Sequence, residues 1–139
     1  MKDVTVVIRT RQAVDGENNE FSQIASGTLE QTAEGFLLRY TEKDENGLAT
    51  DNQFLFGGER AFLKRTGAVN SEMRFRVGAN SVFPYRTFYG SFDLTLHTEY
   101  LRACFDEQGG KAMIRYTLSA HGQLMGEYTL KLHITEKDD

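Results

Sequence analysis

Three histidines and one cysteine carry the most specific chemistry available to this chain: His97, His121, His133 and Cys104. Gathered together they would make a metal set, because imidazole and thiolate are common zinc donors. Their spacing speaks against it. No CxxC, HExxH or HxH occurs, and each histidine stands in a separate segment. His97 and His133 fall on the polar phase of alternating segments, and His121 falls at a turn. A Cys–His nucleophile would need a neighbouring base to generate the thiolate. Cys104 alternates against Leu101, Ala103 and Phe105 and is expected on an outer face. The carboxylate pairs Asp44–Glu45 and Asp106–Glu107 adjoin turn residues, as solvated loops do. "GGER" and "GGKA" open no helix, so neither forms a phosphate-binding loop. No enzyme, metal or cofactor is expected.

The arginines and tyrosines leave more room for binding. Arg9, Arg11, Arg39, Arg74, Arg76 and Arg115 occupy the wettable phase of their segments. Cross-strand pairing accounts for them; clustered on one side they would bind anions. Arg86 shares a phase with Val82, Pro84 and Phe88. Turned inward it would be a desolvated guanidinium in need of a partner, such as a ligand carboxylate held bidentately. A bulge at Pro84 would flip that phase, so an outward Arg86 stays equally open. Thr10, Gln12, Tyr40, Thr98, Tyr116 and Tyr128 lie on phases that also carry apolar residues. Buried phenols want hydrogen-bond partners, met either by mutual packing or by a wet, ligand-filled interior. The candidate ligand-binding residues are Tyr40, Arg86, Tyr89, Thr98, Tyr116 and Tyr128, with no catalytic or metal residue.

The elements that must position these residues read as strands. Turn signals recur at Asp15-Gly16, Glu34-Gly35, Asn46-Gly47, Gly57-Gly58, Thr66-Gly67, Tyr89-Gly90, Gly109-Gly110 and His121-Gly122. Between them side chains alternate with period two: Val4, Val6, Ile8; Phe36, Leu38, Tyr40; Met73, Phe75, Val77; Phe92, Leu94, Leu96; Ile114, Tyr116, Leu118; Tyr128, Leu130, Leu132, Ile134. "NQFLFGGERAFLKRTG" alone tempts toward a helix, but Gly57-Gly58 splits it into two strands. Hairpins in sequence order, each with one apolar face, favour a closed antiparallel up-and-down barrel of roughly eight to ten strands. Gly27 inside a continuous segment predicts a bulge or bend. Residues 1–139 read as one such domain.

Composition sets outer bounds. The net charge of −4 argues against nucleic acid and against a membrane surface. One cysteine allows no internal disulfide, and "MKDVTVVIRT" lacks a signal-peptide run, so a cytoplasmic location is expected.

Read end to end, the segments "VVIRTRQ", "FLLRYTE", "LKRTG", "MRF", "TFYGSFDLTLHT", "IRYTL" and "GQLMGEYTLKL" resemble the small bacterial YwiB-like family. "LATDNQFLFGG" matches least well. The resemblance implies a calycin-like, lipocalin-like barrel of unknown function and no catalytic motif. Fold likeness by itself assigns no ligand. The expected function is non-enzymatic binding of a small apolar or carboxylate-bearing ligand inside the barrel. The alternative is a packed barrel acting as a protein-interaction module through strand-borne Arg and the aromatics near Phe83, Tyr85 and Tyr89. Whether the interior is filled or hollow stays open.

Overall fold

A computed structural model describes residues 1–137. Asp15–Gly16 (φ 50° and 81°) and His121–Gly122 (φ 52° and 76°) hold two successive residues at positive φ. That is the backbone of the type I′ hairpin, whose twist matches that of the strands it joins. Ten strands follow in order: β1 (Lys2–Val14), β2 (Glu17–Thr32), β3 (Gly35–Lys43), β4 (Ala49–Gly57), β5 (Arg60–Gly67), β6 (Val69–Arg76), β7 (Asn80–Thr87), β8 (Gly90–Asp106), β9 (Gly109–Ala120) and β10 (Gln123–Glu136). Each pairs antiparallel with its sequence neighbour, and β1 pairs with β10 to close the barrel. The segment around Gly57-Gly58 is the β4–β5 hairpin, as its glycines predict.

The alternation sorts the faces. Val4, Val6, Ile8, Leu38, Phe54, Phe75, Leu96, Ile114, Leu132 and Ile134 point inward and are buried. Seven aromatic rings then run in contact through the interior, Phe36–Phe105–Phe56–Phe54–Phe75–Tyr116–Tyr128, with successive centroids 5.6, 4.8, 4.4, 6.1, 5.2 and 5.2 Å apart. Phe36, Phe56 and Phe105 sit at one end and close it as a floor. The tyrosines stand toward the other end. The interior is therefore packed in its lower half by aromatic side chains, whose area burial and offset contacts are large.

Two bulges correct the simple alternation. The β8–β9 register shifts between Thr98 and Tyr100, and the β9–β10 register between Leu124 and Gly126. The extra residue at Glu99 resets the phase of β8, so Leu101 and Phe105 turn inward while Tyr100, Arg102 and Cys104 turn out. Of the bulge or bend expected at Gly27, the bulge is absent, since neither ladder shifts register there. Gly27 is where the β2–β3 ladder begins, opposite Tyr40, and a side chain there would strike the Arg39 carbonyl oxygen. Close approach of two backbones explains the glycine.

The wall is thin between β6 and β7, which share only the pairs Val69–Thr87 and Asn70–Arg86. Thr98 stitches the lower part of this seam. Its Oγ1 accepts from Arg76 N at 3.2 Å, its carbonyl accepts from Gly78 N at 2.9 Å, and its own N–H donates to Ala79 O at 3.3 Å.

Candidate functional site

Above the aromatic floor the strands enclose a cavity of about 530 Å³ that opens at the barrel mouth. That lies within the range of small-molecule pockets, roughly 300–1,000 Å³. Its apolar wall comes from Ile8, Leu63, Met73, Phe83, Leu94 and Leu130. Its polar groups are Thr10, Gln12, Gln23, Tyr40, Glu42, Arg65, Tyr85, Tyr116 and Tyr128. These stand at inward positions in the mouth-side part of their strands. A side chain at that level meets both the core below and water above, which suits an amphipathic residue.

The polar groups form two clusters. In one, Arg65 Nε donates to Asn52 Oδ1 at 3.1 Å, and its Nη2 lies 3.7 Å from Glu42 Oε2. Glu42 Oε2 also accepts from Gln23 Nε2 at 2.9 Å. The Arg65 and Glu42 side chains keep only 23% and 21% of their surface, so this pair is screened far less than a surface pair. In the other, Tyr116 and Tyr128 stack with an interplanar angle of 13°, and Gln12 Nε2 donates to Tyr128 Oη at 3.3 Å. Opposite Arg65 on β6, Ser71 Oγ is buried without a hydrogen-bond partner.

Burial pushes the Tyr40 phenol well above its ordinary value, and the Glu42 carboxylate adds to this while the Arg65 guanidinium opposes it. Burial does the same to Tyr116, with Tyr128 reinforcing it, and in weaker measure to Tyr128 itself. The phenols are neutral hydrogen-bonding groups at physiological pH. The sign for stability follows. An unfolded tyrosine ionises near pH 10, the folded ones above it, so stability is intact below about pH 10 and falls above it. The expected loss is about 1.4 kcal/mol per pH unit for each of Tyr40 and Tyr116. Urea midpoints between about pH 9 and pH 11 check this, with Tyr40→Phe and Tyr116→Phe each flattening the slope by one proton's share.

The structure brings Tyr40, Tyr116 and Tyr128 together at the cavity. The other three candidates lie elsewhere. Thr98 is fully buried but belongs to the β6–β8 seam, and its hydroxyl is used by Arg76 N. Arg86 is exposed on the outer wall, because Phe83 and Tyr85 take the inward phase and Pro84 causes no register shift. Tyr89 is 91% exposed at the β7–β8 turn, edge-to-face with Phe88. Phe83 and Tyr85, expected among surface aromatics, instead face the interior. Phe92 keeps the inward phase of Leu94 and Leu96 but stands 55% exposed at the rim. The histidines stay apart, and among the described residues no three His, Cys, Asp or Glu side chains gather as metal ligands.

The residues that sequence reasoning missed are Arg65 and its partners Glu42 and Gln23. The signal was present: Ala61, Leu63 and Arg65 share one phase, as do Leu38, Tyr40 and Glu42. The opposite charges confront each other only because β3, β4 and β5 are consecutive in the sheet.

Fold and site define a ten-stranded antiparallel barrel, filled at one end by aromatics and hollowed at the other into an amphipathic cup. Residues 6–132 match the family described as Domain of unknown function (DUF1934), and the chain belongs to that family. It is similar to the "Uncharacterized beta-barrel protein YwiB" of Bacillus subtilis (strain 168), 28% identical over 81 residues. That match covers 58% of this chain and 56% of the relative's length. The crystal structure of the ywiB protein from Bacillus subtilis superposes with a TM-score of 0.89 at 18% identity, covering 99% of this chain and 93% of that one. This likeness bears on the fold. Among the described residues no helix is long and apolar enough to cross a membrane.

Proposed function

We propose that the barrel is a non-enzymatic, cytoplasmic binding protein for a small, partly apolar ligand held in the mouth cavity, in the manner of calycin-like barrels. The observation that carries this reading is the cavity itself: about 530 Å³, apolar below, with neutral phenols and one guanidinium converging above. Arg65 takes the part first considered for Arg86. Its bond to Asn52 and contact with Glu42 fix the guanidinium in place, where a ligand carboxylate would compete with Glu42 for it. Exposed Phe21, Phe92, Leu124 and Met125 lie at the same end and give the rim an apolar approach. Charged Arg9, Arg11, Lys131 and Arg115 on the outer wall favour an aqueous setting, because cations at mid-wall are costly against lipid.

The test pairs an anionic and a neutral lipophilic dye, anilinonaphthalene sulfonate and Nile red, with native mass spectrometry for carried-over ligand. Both dyes are expected to brighten on the folded protein. Ala120→Trp, which fills the mouth, should weaken both at least about tenfold, a change of ~1.4 kcal/mol. Arg65→Met should weaken the anionic dye selectively. No brightening with either dye, together with an empty native spectrum, would defeat the reading.

A second reading, a protein-interaction module, draws on Phe88 and Tyr89, each 91% exposed at the tip of the β7–β8 turn. Loss of a co-purifying protein on Phe88→Ser/Tyr89→Ser, with dye binding unchanged, would favour it over the ligand reading.

A further inference from the structure

The outer wall of β1, β10, β9 and β8 concentrates positive charge that the chain as a whole conceals. Strand register lays its residues out in rows. Arg9, Lys131, Met113 and Arg102 are cross-strand neighbours in one row. The row on the mouth side is Arg11, Thr129, Arg115 and Tyr100. The row on the floor side is Val7, His133, Lys111 and Cys104. Six permanent cations thus stand on three adjacent rows: Arg9, Arg11, Arg102, Lys111, Arg115 and Lys131. All are exposed. Among the described residues the ion pairs lie elsewhere, at Lys2–Glu136, Arg39–Glu30, Arg65–Glu42 and Arg74–Glu72. Two shallow depressions sharing Arg9, Met113 and Lys131 run side by side across this face.

We infer that this face binds single-stranded nucleic acid. A net charge of −4 speaks to the whole molecule, whereas a bound polyanion feels charges within about 8 Å at physiological salt. Along a strand the rows are spaced by two residues, ~7 Å, and neighbouring strands by ~4.8 Å, so the patch measures roughly 13 by 14 Å. Unpaired Arg and Lys heads over that area can each release a counterion from a phosphate. Tyr100 lies on the same face with the Arg115 guanidinium 5.4 Å from its ring centroid. An aromatic ring and a guanidinium plane together offer a surface on which a base stacks.

The border of the patch selects a narrow partner. Glu20 stands beside Arg11 on β2, Glu99 sits at the β8 bulge, Glu127 lies one row toward the mouth and Asp106 one row toward the floor. A broad anionic surface, such as a lipid bilayer, would press against these carboxylates as well as the cations. A flexible single strand crosses the cations and avoids them. The patch is on the outside of the wall, so this binding neither requires nor blocks the mouth cavity.

Fluorescence anisotropy with a labelled oligothymidylate of about 15 nucleotides, and its oligouridylate counterpart, tests the inference. Binding is expected at about 50 mM NaCl, weakening about 100-fold by about 200 mM for some five phosphate contacts. Arg9→Glu/Lys131→Glu should abolish it while leaving the circular dichroism spectrum unchanged. Arg74→Glu/Arg76→Glu, on another part of the wall, should leave it intact. Cys104 lies in the same groove, so saturating oligonucleotide should slow its modification by maleimide in the unaltered protein. The inference is overturned by no binding at low salt, by equal binding to the reversed-charge variant, or by phosphatidylserine vesicles or polyglutamate binding as tightly as the oligonucleotides.

Discussion

Replacing Phe54 by alanine should remove about 3–5 kcal/mol of stability, a large share of the roughly 5–15 kcal/mol a domain of this kind possesses. Phe54 is fully buried, and its ring centroid lies 4.4 Å from that of Phe56 and 6.1 Å from that of Phe75. It is the middle ring of the seven that fill the barrel. Truncation loses the transfer free energy of the ring and leaves a void that ten hydrogen-bonded strands resist collapsing into. Phe54→Leu refills much of that space and should cost less, because a smaller void remains. Urea unfolding of the three proteins measures the difference. A Phe54→Ala loss below about 1 kcal/mol would mean that the interior repacks and the column is not a rigid support for the mouth tyrosines.

Gly35→Ala should be comparably damaging, by about 3 kcal/mol or more, for a reason that has nothing to do with hydrophobic burial. Gly35 opens β3 at φ +143°, a conformation L-residues rarely adopt. A methyl group there would fall on the Phe56 carbonyl oxygen, with Phe56 C at 2.8 Å and Gly57 Cα at 2.9 Å. These are backbone atoms, so no rotamer change relieves the contact. Gly57 faces the same restriction against the Glu34 carbonyl oxygen, so the β2–β3 turn and the end of β4 interlock main chain to main chain. Gly47 supplies the control. It has φ +79° but nothing within 4 Å of an added methyl, so Gly47→Ala should cost only the left-handed backbone penalty, roughly 1–2 kcal/mol. Thermal midpoints of both variants distinguish the two mechanisms. Equal losses would show that the close approach at the floor is unimportant.

Much of this architecture was legible from residue order alone. Period-two alternation gave the inward faces of β1, β3, β9 and β10 and of Met73 and Phe75 on β6, though Val77, expected on that same phase, lies past the end of β6 and is exposed; Asp15-Gly16 and His121-Gly122 gave hairpins, because both signals are local and each strand has only two faces. Tyr40, Tyr116 and Tyr128 were found as inward polar residues on the same basis. What remained hidden depended on distance between strands. Arg86 was ambiguous because one proline could flip its phase; burial of Phe83 decided it. Thr98 carried an inward phase, yet its hydroxyl serves a seam created by the scant β6–β7 pairing, a property of barrel closure and not of any one strand. Arg65 and Glu42 became partners, and six scattered cations became one face, only through register. Sequence by itself determined that apolar faces converge on a single interior, since a strand's pattern fixes which side avoids water. The tertiary structure decided that seven rings fill only part of that interior and leave a polar-lined cup above, because depth along the barrel axis is set by shear and stagger between strands, which no single strand encodes.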